Sequence, residues 1–184
     1  MTAPATAAPT TGAAAPPRVL GIDPSLVATG IADHTGTDRI RSGDLTGTQR
    51  LDWIRDKILD QLNGIHLAVI EGPSYGSMSG SGHHEAAGLW WHITCALAEH
   101  RVPYAVVPPS TLKKYATGSG KATKPDMRVA LLQRTGIDER DDNKVDAFWL
   151  RAAGLDQLGH PIVDLPKSHR DALAKVAWPQ AVTS

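Results

Sequence analysis

The chain switches between strand-like and helix-like spacing in an order that few folds share. Residues 18–23 form an apolar run suited to a buried strand, and two short strand-like segments follow it around a glycine-containing turn. From Thr48 the spacing becomes helical, and a second apolar strand-like run occupies residues 66–72. One more strand-like segment, residues 104–108, completes the order βββαβαβ, which helices follow. This order predicts an α/β fold with a five-stranded mixed sheet, three antiparallel strands first and two parallel strands later, and helices on both faces.

The chain length favours a single domain. At 184 residues, two independent domains would both be small. Residues 1–17 hold no charged side chain and no leucine-rich segment, so they do not match a signal peptide and are predicted to form a disordered tail. We expect residues 18–159 to form the domain and residues 160–184 to form a C-terminal extension, partly disordered or with one short helix.

Neither membrane insertion nor disulfide bonding is expected. No segment approaches the roughly 18 consecutive apolar residues that a membrane span needs. The single cysteine, Cys95, cannot form an internal disulfide, and its apolar surroundings predict a buried side chain in a protein of the reducing cytosol. We therefore expect a soluble, cytoplasmic protein with no membrane partner.

The total charge is neutral, but one segment is strongly basic. Nineteen basic and nineteen acidic side chains cancel, so the total indicates neither a nucleic acid nor a membrane surface as partner. Residues 110–134 nevertheless hold one acidic side chain against six basic ones, which are Lys113, Lys114, Lys121, Lys124, Arg128 and Arg134. Such a patch is typical of a surface that binds phosphates, and an ordinary solvated surface is the alternative.

Both long apolar strand-like runs end in a carboxylate, Asp23 in the first and Glu71 in the second. If these two strands are parallel neighbours, their carboxyl ends meet at one edge of the sheet, where ligands gather in this architecture. Capping of the turn "DPS" is the alternative role for Asp23. Two ionised carboxylates in close contact repel each other, and a hard divalent cation such as Mg²⁺ would offset that repulsion.

The segment "DERDDNKVDAFWLRAAG" can supply further oxygen ligands. On a helix, Asp142 and Asn143 lie four and three residues before Asp146, so one face can present all three side chains toward one point. Asp141 is better explained as the residue that caps the amino terminus of this helix. Asp146 lies a full turn inside the helix, where capping cannot explain it.

Four motifs together resemble the RuvC family of Holliday junction resolvases, within the ribonuclease H-like superfamily, and phage-type members in particular. These motifs are "LGIDPSLVATGIA", "AVIEGP", "GSGKATK" and "DDNKVDAFWLRAAG", in this order and spacing. The resemblance extends from about Arg18 to Gly159. It implies a ribonuclease H-like fold and a metal-dependent, structure-selective DNA endonuclease that cleaves Holliday junctions or other branched DNA. It also implies a bacterial protein, or a phage protein that acts in the bacterial cytoplasm.

The resemblance also implies roles for individual residues. Asp23, Glu71 and Asp146 match the metal-binding carboxylates of the family. The family spacing places the fourth ligand at Asn143, and the adjacent Asp142 is the other candidate, both as ligand and as catalytic residue.

The remaining implied residues contact DNA. Lys124 matches a catalytic lysine near the scissile phosphate, and Lys113 matches another lysine that binds DNA. Tyr75 lies near the position of an aromatic residue that wedges into the junction, and an exposed loop tyrosine is the alternative. The DNA-binding set predicted in this way is Lys113, Lys114, Lys121, Lys124, Arg128 and Tyr75.

The expected chemistry is phosphodiester hydrolysis with two Mg²⁺ or Mn²⁺ ions per active site. One ion activates water and the other stabilises the leaving oxygen. As the resemblance implies, the products would be 5′-phosphate and 3′-hydroxyl ends.

A homodimer is the expected assembly. In the helix predicted near residues 83–100, Trp90 and Trp91 point about 100° apart, so this helix needs cover on two sides. A second copy of the chain would supply the second cover and suits a two-fold symmetric four-way junction. A monomer whose C-terminal extension covers this side is the alternative.

Other functions remain open from the sequence. A non-catalytic module that binds branched DNA is one alternative, particularly if Asn143 marks a lost metal site. A ribonuclease H-like nuclease acting on forked, flap or single-stranded nucleic acid is another. Actin-like kinases share a turn similar to "GIDPSLVATG", but they need two such domains, and this chain is too short for that.

Overall fold

The computed structural model describes residues 15–73 and 81–180, and it contains one five-stranded sheet in the order β3-β2-β1-β4-β5. The strands are β1 Val19–Asp23, β2 Ala28–Asp33, β3 Gly36–Arg41, β4 Leu67–Glu71 and β5 Tyr104–Val107. β1, β2 and β3 pair antiparallel, whereas β1, β4 and β5 pair parallel. The predicted α/β fold with a mixed sheet is confirmed, and the first and fourth strands are neighbours, as the site prediction requires. Tyr75 lies outside the described residues.

Helices cover both faces of the sheet. They are α1 Gly47–Leu59, α2 Ser81–Glu99, α3 Pro109–Thr117, α4 Lys124–Thr135, α5 Asp142–Gln157 and α6 Lys167–Arg170, and a 3₁₀-helix spans Asp171–Lys175. Side chains alternate along β1: Val19 packs in the core with α3, α4 and α5, while Leu20 and Ile22 pack on the opposite side with α1 and α2. Among residues 15–73 and 81–180, no helix is both long and apolar enough to cross a membrane.

Helix α5 lies directly on β1 and β2 because two strand residues have no side chain. A Cβ on Gly21 would lie 2.1 Å from the carbonyl oxygen of Ala147, and a Cβ on Gly30 would lie 2.0 Å from that of Asn143. No ordinary side chain fits into either contact. The two glycines therefore set the distance between the helix and the sheet.

The helices that surround the site have identifiable start and stop signals. α4 begins with a capping box, in which Thr123 accepts from the Asp126 backbone and Asp126 accepts from the Thr123 backbone. The Asp141 side chain accepts hydrogen bonds from the backbone of the first turn of α5, which confirms its predicted capping role. α3 is longer than the single turn predicted, because Pro109 starts it and Gly118, with φ 87°, ends it.

The described part of the C-terminal extension packs on the α5 side of the sheet. Its apolar side chains join the core there, and the buried His169 ring hydrogen-bonds the carbonyl oxygen of Tyr115 in α3, at 3.0 Å. The alternative in which this extension covers α2 is wrong, since α2 packs in the other core. The prediction of a buried Cys95 is also wrong: its side chain is exposed on the outer side of α2.

We expect Gly21→Ala to lower the free energy of unfolding by at least about 3 kcal/mol, because the new methyl group would push α5 away from β1. The change is measured by urea denaturation. Gly88→Ala is the matched control: its Cβ would meet only the Leu51 side chain, at 3.4 Å, and alanine favours the helix by up to about 1 kcal/mol. A Gly21→Ala variant as stable as the control would contradict the close contact described here.

Candidate active site

Three carboxylates from distant parts of the chain converge at one edge of the sheet. Asp23 ends β1 and Glu71 ends β4, and these strands are parallel neighbours in which Ile22 pairs with Ile70. The carboxyl groups of Asp23 and Glu71 lie close enough to shift each other's pKa, and both are repelled by the carboxylate of Asp146 on α5. The site predicted from the strand ends and the acidic helix is therefore assembled from these three residues.

Burial and mutual repulsion favour the protonated forms of this cluster. The side chain of Asp23 is buried, and burial, followed by repulsion from Glu71 and Asp146, raises its pKa well above the usual value. Burial and repulsion from Asp146 raise the pKa of Glu71 to about 7. Burial also raises the pKa of Asp146 to about 6. When the three carboxyl groups are ionised, they are poorly solvated, and the positive charge near them is too small to offset their mutual repulsion.

Two lysines supply part of the missing positive charge. Lys113 on α3 lowers the pKa of Glu71 and Asp146, and Lys124, the first residue of α4, lowers the pKa of all three carboxyl groups. The Lys124 side chain is 64% exposed, so it faces solvent above the cluster. Lys124, which the resemblance placed near the scissile phosphate, and Lys113, which it matched to a DNA-binding lysine, thus both act on the carboxylates.

Asp142 is turned toward basic side chains of α4. One of its carboxylate oxygens accepts from Arg128, 2.6 Å from Nε and 2.5 Å from Nη2, and the other lies 3.3 Å from the Lys124 ammonium. The negative charge of Asp142 also contributes to the raised pKa of Asp146. Asp142 therefore borders the cluster and holds Arg128 and Lys124 at its rim.

Asn143 joins α5 to β2. Its side-chain nitrogen donates to the carbonyl oxygen of Ala28, at 2.6 Å, and its own carbonyl lies against Gly30. Of the two candidates for the fourth ligand, Asp142 is thus already in an ion pair, whereas Asn143 is held in place through its side-chain nitrogen and not through the amide oxygen that would bind a metal. Which of them completes the site stays a prediction.

The carboxylates are not arranged as a ready metal cage. Within residues 15–73 and 81–180, no three His, Cys, Asp or Glu side chains form a group that could hold a metal ion as they stand. The chemistry of the donors still fits a hard cation, since all are carboxylates and all are held near one another against their repulsion.

The remaining predicted DNA-binding residues differ in their exposure and in their distance from the carboxylate cluster. Arg128 is half-buried through its pairing with Asp142, whereas Lys114 and Lys121 are exposed on α3 and the loop after it. The basic segment that the sequence indicated thus lies partly at the rim of the carboxylate cluster and partly on open surface.

Trp90 is a residue of the site that sequence reasoning missed. Its indole nitrogen donates to the carbonyl oxygen of Glu71, at 3.0 Å, and so fixes the end of β4 against α2. It also lines a cavity of about 170 Å³ next to Glu71, with Pro24, Pro73 and His83. In the sequence, Trp90 belongs only to an apolar helix pattern, and nothing there connects it to Glu71.

Comparison with known proteins places the fold. No family model matches the sequence. The structure of Thermus thermophilus RuvC is similar with a TM-score of 0.63 and 17% identity, covering 80% of this chain and 99% of that chain. T. thermophilus RuvC in complex with Holliday junction substrate is similar with a TM-score of 0.62 and 18% identity, over the same 80% and 99%. The RuvC-like, ribonuclease H-like fold predicted from the four motifs is confirmed.

The raised pKa of Glu71 predicts how metal-free protein responds to pH. The native state keeps this proton up to about pH 7, whereas the unfolded chain releases it near the ordinary glutamate pKa of 4.5. The native state therefore binds the extra proton between these values, and its stability falls as pH rises through them. In EDTA, we compare the free energies of unfolding of Glu71→Gln and the wild type. The difference should shift in favour of Glu71→Gln by on the order of 2 kcal/mol as the pH rises from about 5 to about 8.

Urea denaturation at several pH values measures this gain. Glu99→Gln, in the exposed last turn of α2, is the matched control for loss of a carboxylate. A stability difference between Glu71→Gln and the wild type that does not change with pH would contradict the electrostatic description of the cluster.

Proposed function

We propose that this protein is a metal-dependent, structure-selective DNA endonuclease that cleaves Holliday junctions or other branched DNA. The observation that carries the proposal is the convergence of Asp23, Glu71 and Asp146 beneath two lysines at the carboxyl ends of β1 and β4. The RuvC-like fold supports it, since one structural neighbour is described as RuvC in complex with Holliday junction substrate.

Mg²⁺ or Mn²⁺ is the cofactor that suits this donor set. Asp23, Glu71 and Asp146 would hold the ions, with Asp142 or Asn143 as the further ligand of a two-ion site. Hard divalent cations prefer carboxylate oxygens, and their charge would offset the repulsion that raises the three pKa values. Bound ions would supply a water nucleophile and stabilise the leaving oxygen, giving 5′-phosphate and 3′-hydroxyl ends.

The lysines and Arg128 would act on the DNA. Lys124 is exposed above the carboxylates, so its ammonium can approach a phosphate placed over them and stabilise the charge that develops in the transition state. Asp142 positions both Lys124 and Arg128 along this rim. Lys113, Lys114 and Lys121 extend the positive surface, where phosphate contacts supply affinity without sequence preference. A stacking role for Tyr75 stays a prediction.

Cleavage of a labelled synthetic four-way junction tests the function. We expect cleavage by the wild type with Mg²⁺ or Mn²⁺ and none with EDTA or in Asp23→Asn, which removes a carboxylate from the cluster. Lys124→Ala should slow cleavage by about a hundredfold or more, because a charge that stabilises the transition state is lost. Lys175→Ala, an exposed lysine of the C-terminal 3₁₀-helix, is the control and should match the wild type.

The outcomes separate the alternatives. Equal activity of wild type and Asp23→Asn refutes the assignment. Binding of the junction without cleavage in either metal supports the non-catalytic module. Preferential cleavage of forks, flaps or single strands in the same assay identifies the other nuclease class.

A homodimer is the assembly we propose, in the cytoplasm of a bacterium. On α2, Trp91 is 62% exposed, and Cys95 beside it on the same outer side is also exposed. Trp53 of the adjoining α1 is 42% exposed. The described part of the C-terminal extension packs on the other face of the sheet, and a second copy of the chain is the occupant we propose for this apolar surface.

Sedimentation velocity tests this assembly. The wild type should sediment as a dimer, and Trp91→Glu should sediment as a monomer, because a charge would be placed in the apolar contact. Val129→Glu changes a side chain that is 50% exposed on α4, in the opposite layer of the fold, and should leave the dimer intact. A monomeric wild type, or a Trp91→Glu dimer as stable as the wild-type dimer, would contradict the proposal.

A further inference from the structure

A second basic surface lies beside the carboxylate cluster, outside the segment of residues 110–134. It is a groove of about 520 Å³ between β3 and the start of α5. Its charged lining consists of four basic side chains and two acidic ones, which are Arg39, Arg41, Lys124, Arg140, Asp141 and Asp142. We refer to it as the β3 groove.

The arginines of β3 face the groove because of strand alternation. Arg39 and Arg41 are two residues apart on an edge strand, and Ile40 between them is buried with α1 on the other face. Opposite them in β2 lie Gly30, which α5 covers, and Ala28, whose small side chain lines the groove.

Most of the negative charge in the groove is already neutralised. Asp141 pairs with Arg39 and caps the first turn of α5, while Asp142 pairs with Arg128 and Lys124. The side chain of Arg41 makes no hydrogen bond or ion pair within the described part of the chain.

Arg140 is similarly available. Its side chain is 85% exposed, and its ion-pair partner is the nearby Asp138, 63% exposed, at 3.4 Å. Such an exposed pair holds the guanidinium only weakly. The groove therefore presents two uncommitted guanidinium groups to an anion from solution.

Lys124 connects the groove to the carboxylate cluster. It lines the groove, and it also lowers the pKa of Asp23, Glu71 and Asp146. A polyanion with one phosphate beneath Lys124 would place neighbouring phosphates along the groove. The lysines of α3 and the following loop lie outside this lining, so they would contact a different part of the same ligand.

We propose that the β3 groove binds the phosphate backbone of the DNA next to the cleaved bond. This inference rests on the proposed nuclease function and adds a second contact surface to it. Arg41 and Arg140 are the anchoring residues, since guanidinium groups bind phosphate oxygens with two parallel hydrogen bonds. Contacts of this kind fix the position of the strand and carry no base specificity.

The sequence alone did not indicate this basic surface. Arg39 and Arg41 stand in the mixed segment "TDRIRSGD", and Arg140 stands in the acidic segment "DERDD", so neither segment has a net basic character. Only the pairing of β3 with β2 and the position of α5 bring the three arginines together.

The test is the salt dependence of junction binding. Fluorescence anisotropy gives the Kd of a labelled four-way junction at several NaCl concentrations, with Ca²⁺ present to prevent cleavage. Arg41→Ala and Arg140→Ala should each weaken binding and each reduce the slope of log Kd against log salt by about 1, because one phosphate contact is lost. In the double variant the slope should be reduced by about 2, and the reduction should be the same for junctions of different sequence.

Matched variants distinguish this surface from a general charge effect. Arg101→Ala removes an exposed arginine between α2 and β5, at the end of the sheet away from the carboxylates, and should leave the slope unchanged. Arg41→Gln removes the charge but keeps most of the side-chain length, and should behave as Arg41→Ala does. Thermal unfolding confirms that each variant is folded.

Two failures can be told apart. If the wild type cleaves the junction but both arginine variants keep its affinity and slope, the groove proposal is overturned and the nuclease proposal stands. If the wild type neither binds nor cleaves branched DNA, the proposed function is overturned and the groove proposal with it.

Discussion

The close contact between α5 and the first two strands determines where the chemistry of this protein lies. Gly21 and Gly30 leave no side chain between the helix backbone and the sheet. Asp146, one turn inside α5, thereby comes beside the ends of β1 and β4. The same contact places Asn143 on the carbonyl oxygen of Ala28 and the capping residue Asp141 next to Arg39. One packing constraint thus sets both the carboxylate cluster and one wall of the β3 groove.

Ionisation of the carboxylate cluster destabilises the fold when no cation is bound. The three carboxyl groups with raised pKa are buried or half-buried, and Lys113 and Lys124 offset part of their charge. Such an arrangement is unfavourable for folding when the groups are ionised. It is favourable for binding a hard cation, because the ion would remove a repulsion that the fold already holds in place. Perturbed carboxylates gathered in this way are typical of active sites.

The neutral total charge conceals local regions of opposite sign. Three of the nineteen acidic side chains form the cluster, and basic side chains form a rim around it and line the β3 groove beside it. A phosphodiester strand could contact the rim and the groove at once while one phosphate faces the carboxylates. The apolar outer side of α2 belongs to a different layer of the fold, so a second copy of the chain and a DNA ligand would not compete for one surface.

The amino-acid pattern alone determined the order of elements, the mixed sheet and the three carboxylates, because strand and helix periods are local and an acidic residue at the end of a buried run is conspicuous. It also determined that Asp141 caps α5, since capping depends on residues adjacent in the chain. Side-chain contacts between distant segments decided the rest. Local spacing in the sequence does not indicate these features. They are the pairing of Asp142 with Arg128, the hydrogen bond from Trp90 to Glu71, the exposure of Cys95 and the grouping of Arg39, Arg41 and Arg140. They follow from which helix covers which face of the sheet, and that choice is made by packing across the whole domain.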